Sequence, residues 1–206
     1  MRNASVRRKI NNLKKHYSSS LNFRRRRRKF QAEKARYYGV FAAEVAGVII
    51  LAFLVVETFG IRVSVAGESM APTVENGNTV LLNKASYFIG GPKTNDVIAF
   101  YPAGNVNAKC SVKRVIGVPG DTILIQNGTL YVNGEVFEDI IETYSMSDSG
   151  LAATEITLKD DEYFVLGDNR NNSEDSRYET IKNVTKDEIA GKVWMCVSFH
   201  NFGSIE

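Results

Sequence analysis

The sequence predicts a mostly β fold: a single-pass, membrane-anchored domain of antiparallel strands. Three observations predict it. Residues 39–59 form the one apolar stretch long enough to cross a bilayer as a helix. Beyond it, short runs rich in β-branched residues recur between turn residues, the pattern of an all-β domain. Charge is divided as well: residues 1–38 hold 14 of the 26 Lys and Arg and one acid, Glu33, which leaves 12 cations against 22 acids for the rest. A basic tail on an acidic domain points to a membrane or a nucleic acid as the partner of the tail.

The tail, residues 1–38, carries six consecutive cations from Arg24 to Lys29 among few apolar residues. Such a segment buries too little surface to offset its ordering entropy, so disorder is expected. Its position just before the span decides between the two partners: it is read as a topology signal that touches anionic lipid, with no nucleic-acid role. The span, residues 39–59, reads GVFAAEVAGVIILAFLVVETF. Glu44 is the charge well inside it. A carboxylate costs roughly 2.5–3.5 kcal/mol at the centre of a span and less near its end, so Glu44 is placed at the headgroup level. The run is too long and starts too late for a cleavable signal peptide, and reads as a retained plasma-membrane anchor. With the cations all on its amino-terminal side, residues 1–38 are expected in the cytoplasm and residues 60–206 outside.

In residues 60–206 the predicted strands are 62–66, 79–82, 96–101, 110–116, 122–125, 130–132, 163–166 and the region 192–199. Asn127-Gly128 between two of them signals a type I′ hairpin, which needs positive φ at both central residues. Pro119-Gly120 signals a type II turn, with glycine taking the positive φ. The chain has two cysteines, Cys110 and Cys196, both in the outer domain. They either pair in an oxidising compartment or stay as two buried thiols in adjacent strands, and spacing does not choose. His16 and His200 have no ligand-like spacing, so neither a metal nor a cofactor is expected. Tyr87-Phe88-Ile89-Gly90-Gly91 is either an apolar loop touching lipid or a buried satellite cluster.

The candidate chemistry begins at Gly67-Glu68-Ser69-Met70-Ala71-Pro72-Thr73, a serine on a Gly/Pro-punctuated turn about ten residues beyond the span. A serine nucleophile needs a base. His16 lies on the wrong side of the membrane and His200 in a terminal loop, which turns attention to lysine. In the run Ser111-Val112-Lys113-Arg114-Val115-Ile116, alternation on a strand sends Lys113 and Arg114 opposite ways. Arginine stays charged, whereas a buried lysine shifts its pKa. An ordinary lysine, with pKa near 10.4, costs roughly 4–5 kcal/mol to hold neutral at pH 7. Burial among apolar neighbours lowers a lysine by up to about 3–5 pH units, enough to supply a neutral amine. A third stretch, Gly167-Asp168-Asn169-Arg170-Asn171-Asn172-Ser173-Glu174-Asp175-Ser176-Arg177, is dense in hydrogen-bonding groups. Counted from Asp168, Arg170 and Ser173 break the calcium-loop pattern, and the density suits a layer that orients catalytic side chains.

Together, GESMAPT (67–73), VKRVIGVPGD (112–121) and GDNRNNSEDSR (167–177), in that order behind a membrane span, resemble bacterial type I signal peptidase, the membrane-bound Ser/Lys serine protease. The resemblance covers roughly residues 38–199, and the single span and compact outer domain are similar to the smaller Gram-positive forms. It implies the signal-peptidase type of β fold and the removal of signal peptides from secreted preproteins. By the same resemblance, Ser69 is the nucleophile and Lys113 the general base, with the Ser69 N–H donating to the oxyanion. Ser173 matches the serine that orients the lysine amine. Asp175 and Arg177 match a structural ion pair, with Asp168 in the same supporting layer, and Met70 and Pro72 match residues that shape the turn and the substrate-facing wall beside it.

One position departs from part of the family: Gly67 stands where some members carry a serine whose hydroxyl serves the oxyanion hole. The implied substrate is a preprotein whose signal peptide is still in the bilayer, with small residues at −1 and −3, added as an extended strand beside the site. Two rival readings are a repressor-type, self-cleaving Ser/Lys protease, which the span and the basic tail oppose, and a non-catalytic anchored β module.

Overall fold

The structure is a computed structural model that describes residue 11 and residues 33–88, 90–141, 144–198 and 202–205. The apolar stretch is helical throughout: α1 runs Glu33–Phe59, long and apolar enough to cross a membrane. At 1.5 Å per residue it spans about 40 Å. It already includes Glu33, ahead of residue 39, because Glu-Lys-Ala-Arg-Tyr-Tyr holds no glycine or proline to stop helical hydrogen bonding where the apolar run begins. Residues 33–38 therefore belong to the helix and not to a disordered tail. The basic run at 24–29 lies outside the described residues.

From residue 61 onward the described chain is β with short 3₁₀ turns. The strands are β1 Ile61–Ser64, β2 Thr79–Asn83, β3 Val97–Phe100, β4 Ser111–Gly117, β5 Thr122–Gln126, β6 Thr129–Val132, β7 Glu135–Val136, β8 Ile156–Thr157, β9 Glu162–Leu166, β10 Val184–Thr185, β11 Ile189–Val197 and β12 Phe202–Ser204. The larger sheet has the order β1-β2-β11-β3-β4-β9-β10, with β12 added to β11, and the smaller is β7-β6-β5-β8. Every pairing is antiparallel.

The eight predicted strands all appear, with no end shifted by more than three residues. At the predicted hairpin turn Asn127 and Gly128 have φ of 52° and 77°, and Gly120 has φ of 89°. The strands not foreseen, β7, β8, β10 and β12, have two or three residues each. For β7 the signal was available, because Asn133-Gly134 repeats the hairpin dipeptide, with φ of 54° and 81°.

The core lies on both faces of the larger sheet. On β3, Val97 and Ala99 join a cluster with Val65, Met70, Val80 and Val112, while Ile98 and Phe100 join another with Val115, Tyr163 and Val165. All four β3 residues are buried, so this strand reads as a continuous apolar run and not as an alternation. Each fully buried large side chain contributes about 1.5–3 kcal/mol. A further cluster, built on Ile116, Ile123, Ile125, Phe164 and Leu166, joins the two sheets.

The cysteines are free thiols, Cys196 buried and Cys110 half-buried. They are not in adjacent strands, since β3 separates β4, which Cys110 precedes, from β11, which carries Cys196. The segment at 87–91 divides between its two readings. Tyr87 packs on the cluster around Ile98 and donates its hydroxyl to Asp96, while Phe88 is exposed and Ile89 lies outside the described residues.

Candidate active site

Ser69 sits on the turn between β1 and β2, and local geometry fixes that turn. Gly67 takes φ of 95°, a region that favours glycine, and its N–H donates to Asn76 Oδ1 at 3.0 Å. Ala71 N–H donates to the Glu68 carbonyl, Val74 N–H donates to that of Met70, and the Ala71–Pro72 peptide is cis. Met70 is fully buried in the cluster with Val65, Val74 and Val80. It anchors the turn from beneath and forms no exposed wall, which corrects the expectation of a substrate contact. An apolar side chain at this position is drawn into the core that the turn covers. Pro72 is exposed on the outer rim.

Lys113 arrives from β4, which pairs with β3 on one side and β9 on the other. Its Nζ lies 2.7 Å from Ser69 Oγ and 3.2 Å from the Val112 carbonyl oxygen. Lys113 is 5% exposed. Burial lowers its pKa, and the more distant negative charges of Asp175, Glu174 and Asp168 oppose that shift without reversing it.

Arg114, the next residue, goes to a different partner: Nε and Nη2 bind the two oxygens of Asp168, each at 2.8 Å. The same carboxylate accepts from the Thr73 hydroxyl, so this buried ion pair holds the far end of the serine turn. A second buried pair lies behind it. Arg177 binds Asp175 through two bonds of 2.8 and 2.9 Å, and also donates to the Asp148 and Arg170 carbonyls. Asp175 in turn accepts from Gly167 N–H, and Arg170, paired with Asp139, donates to the Gly167 carbonyl.

Gly167 is thus gripped at both backbone groups, and the serine turn rests on it. A Cβ there would lie 2.4 Å from the Ser69 carbonyl oxygen and 2.1 Å from Ser173 Oγ, a space that glycine alone leaves open. Asn169 completes the contact, its N–H donating to the Ser69 carbonyl at 3.0 Å and its amide to the Glu68 carbonyl at 3.2 Å.

Ser173 does not hold the lysine amine. Its hydroxyl is buried against Gly167 without a hydrogen-bond partner, and the Val112 carbonyl takes the orienting position. Thr73, Arg114, Asn169 and the pair Arg170–Asp139 were not singled out from the sequence. Arg114 was visible as the oppositely directed neighbour of Lys113, but nothing in the sequence named its carboxylate. Among the described residues no acceptor in the chain takes the Ser69 N–H.

A serine hydroxyl in hydrogen-bond contact with a buried lysine amine, on a scaffold of antiparallel strands, has the parts of a Ser/Lys hydrolase. The chain belongs to the signal peptidase family, peptidase S26, whose family model matches residues 39–198. It is 34% identical over 178 residues to signal peptidase IB of Staphylococcus aureus strain COL, covering 77% of this chain and 91% of that one. It is 32% identical over 151 residues to a probable signal peptidase I-2 of Synechocystis, covering 68% and 67%. The crystal structure of a signal peptidase I from Enterococcus faecalis V583 aligns at 30% identity over 51% of this chain and 98% of that chain, with a TM-score of 0.39.

Proposed function

We propose that this chain is a membrane-anchored serine endopeptidase that removes signal peptides from preproteins, cutting after small residues at −1 and −3. The observation that carries the mechanism is the 2.7 Å contact between Ser69 Oγ and the buried amine of Lys113. Neutral Lys113 accepts the hydroxyl proton as Ser69 Oγ attacks the scissile carbonyl carbon. The oxyanion receives the Ser69 N–H, and one preformed donor of this kind is worth roughly 3–4 kcal/mol. Gly67 adds no side-chain donor, and its own N–H is held by Asn76. As the intermediate collapses, Lys113 returns the proton to the leaving amine, which departs as the new amino terminus. Water then loses a proton to Lys113 and attacks the acyl ester, and Lys113 gives that proton to the departing Ser69 Oγ as the signal peptide leaves with a new carboxyl terminus. The substrate is extended and adds as a strand beside the site, main-chain bonds giving affinity and shallow pockets giving selectivity.

The pH dependence follows from the direction of the Lys113 shift. Only the neutral amine accepts a proton, so kcat/KM rises with pH through the Lys113 pKa and levels off above it. That inflection falls below 10.5, the value of an ordinary lysine, because burial disfavours the ammonium. Rates measured from pH 6 to 10 on a peptide containing Ala-X-Ala test this, and a flat profile rules out Lys113 as the base.

We place α1 across the plasma membrane with the basic tail in the cytoplasm and residues 60–206 outside, on the strength of the cations before the span. Protease added to sealed cells then degrades residues 60–206 and leaves a protected amino-terminal fragment. Protection of the β domain reverses the topology.

A further inference from the structure

Beside Ser69 lies a cleft that the hydrolytic steps do not use. It encloses ≈ 320 Å³ and is lined by Ala71, Pro72, Tyr144 and residues 168–171. We propose that this cleft is a specificity site for the chain beyond the scissile bond, taking one large, uncharged side chain from the first two residues of the mature protein. The proposal rests on the signal-peptidase reading above.

Position gives the first argument. Ala71 and Pro72 are the second and third residues after Ser69, and Asn169, on the opposite part of the lining, binds the Ser69 and Glu68 carbonyls. An extended chain advances about 3.3 Å per residue, so the first two residues after the cut come within reach of the cleft. Size gives the second. A space of ≈ 320 Å³ is larger than the small residues proposed at −1 and −3 would fill, and the proposal assigns it to the departing side of the substrate.

Charge and surface set the class of side chain. The Asp168 carboxylate is bound by Arg114 through both oxygens, and Arg170 by Asp139 and the Gly167 carbonyl, all within the protein. Both charges in the lining are therefore already answered, and an uncharged side chain meets no counter-ion demand. Tyr144 is 88% exposed, so its ring is open to a substrate side chain, and Pro72 beside the cleft is exposed as well. The backbone that carries the ring is tethered, since the Ser145 carbonyl accepts from Asn171 Nδ2 at 3.1 Å and Ser147 N–H donates to Asn171 Oδ1.

The test measures kcat/KM for the full chain in detergent on peptides that share one Ala-X-Ala segment and differ after the cut, with Ala, Tyr or Lys at +1 and separately at +2. At one of these positions Tyr is expected to exceed Ala about tenfold and Lys to show no gain; Tyr144→Ala reduces the Tyr/Ala ratio below about threefold, while Tyr144→Phe keeps it. Phe88→Ala, which removes an exposed ring elsewhere, also keeps it. Equal rates for Ala and Tyr at both positions overturn the proposal, as does a preference that survives Tyr144→Ala. Failure of the wild-type chain to cleave any of the peptides counts instead against the signal-peptidase reading, so the two failures are distinct.

Discussion

Ser69→Ala abolishes cleavage of a preprotein or Ala-X-Ala peptide, and Lys113→Met lowers kcat by at least about 10²–10⁴, the range a general base contributes. Both follow from the contact between Ser69 Oγ and Lys113 Nζ. The two losses are not additive, because either residue alone leaves no activated nucleophile. His200→Ala remains active, since the chemistry assigns histidine no part.

Stability separates a lost base from a lost fold. Burial holds the Lys113 pKa in the folded chain below its unfolded value. Between those two values the unfolded chain binds more protons, so stability increases as pH rises through that window. Lys113→Met removes the buried amine while keeping the length of the side chain. The variant should melt no lower than wild type at pH 7, and the rise in melting temperature from neutral to alkaline pH should shrink. A Lys113→Met variant that keeps most of its activity ends the dyad mechanism. One that is inactive because it melts far below wild type leaves the loss to folding.

Asp168→Ala is expected to destabilise the β domain by about 3–5 kcal/mol, the cost of breaking a buried ion pair by removing one partner. Arg114 is 1% exposed and keeps the Asn95 carbonyl as an acceptor, but loses the carboxylate that neutralises it. For a chain of this size each kcal/mol lowers Tm by roughly 2–4 °C, so the loss is about 6–20 °C. Asp168→Leu combined with Arg114→Met replaces the pair by apolar groups and should recover much of that Tm, because such replacements are often neutral or stabilising. It should not recover full activity, since the Thr73 hydroxyl still lacks the acceptor that holds the end of the serine turn. Thermal melts and cleavage rates on the single and double variants test both statements. Equal melting temperatures for the wild type and Asp168→Ala dismiss the ion pair as a structural support.

The sequence was legible where local chemistry decides. The length of the apolar run, the Asn127-Gly128 turn and the Pro119-Gly120 turn each act within a few residues, and each has its expected form. The short strands β8, β10 and β12 carry too few residues for a period to emerge, and they exist because a distant partner pairs with them. Met70 shows the same limit inside a recognised motif. Its neighbours are explained by the turn, but its own side chain turns inward because β2, β3 and β4 bring Val80, Val97 and Val112 beneath it. Ser173 was matched to an orienting role by position, yet its hydroxyl faces Gly167 while the Val112 carbonyl, which no side-chain motif encodes, meets the amine.

By itself, the sequence determined the long apolar helix, the β character and the three motifs, and it turned attention from histidine to lysine, because composition and short spacing carry that information. The tertiary structure decided that Lys113 meets Ser69 across 44 residues and that Arg114 meets Asp168 across 54. It also decided that the amine is buried deeply enough to lower its pKa. Strand order and the close approach over Gly167 bring those groups together, and both arise from pairings between residues far apart in the chain, which no local pattern records.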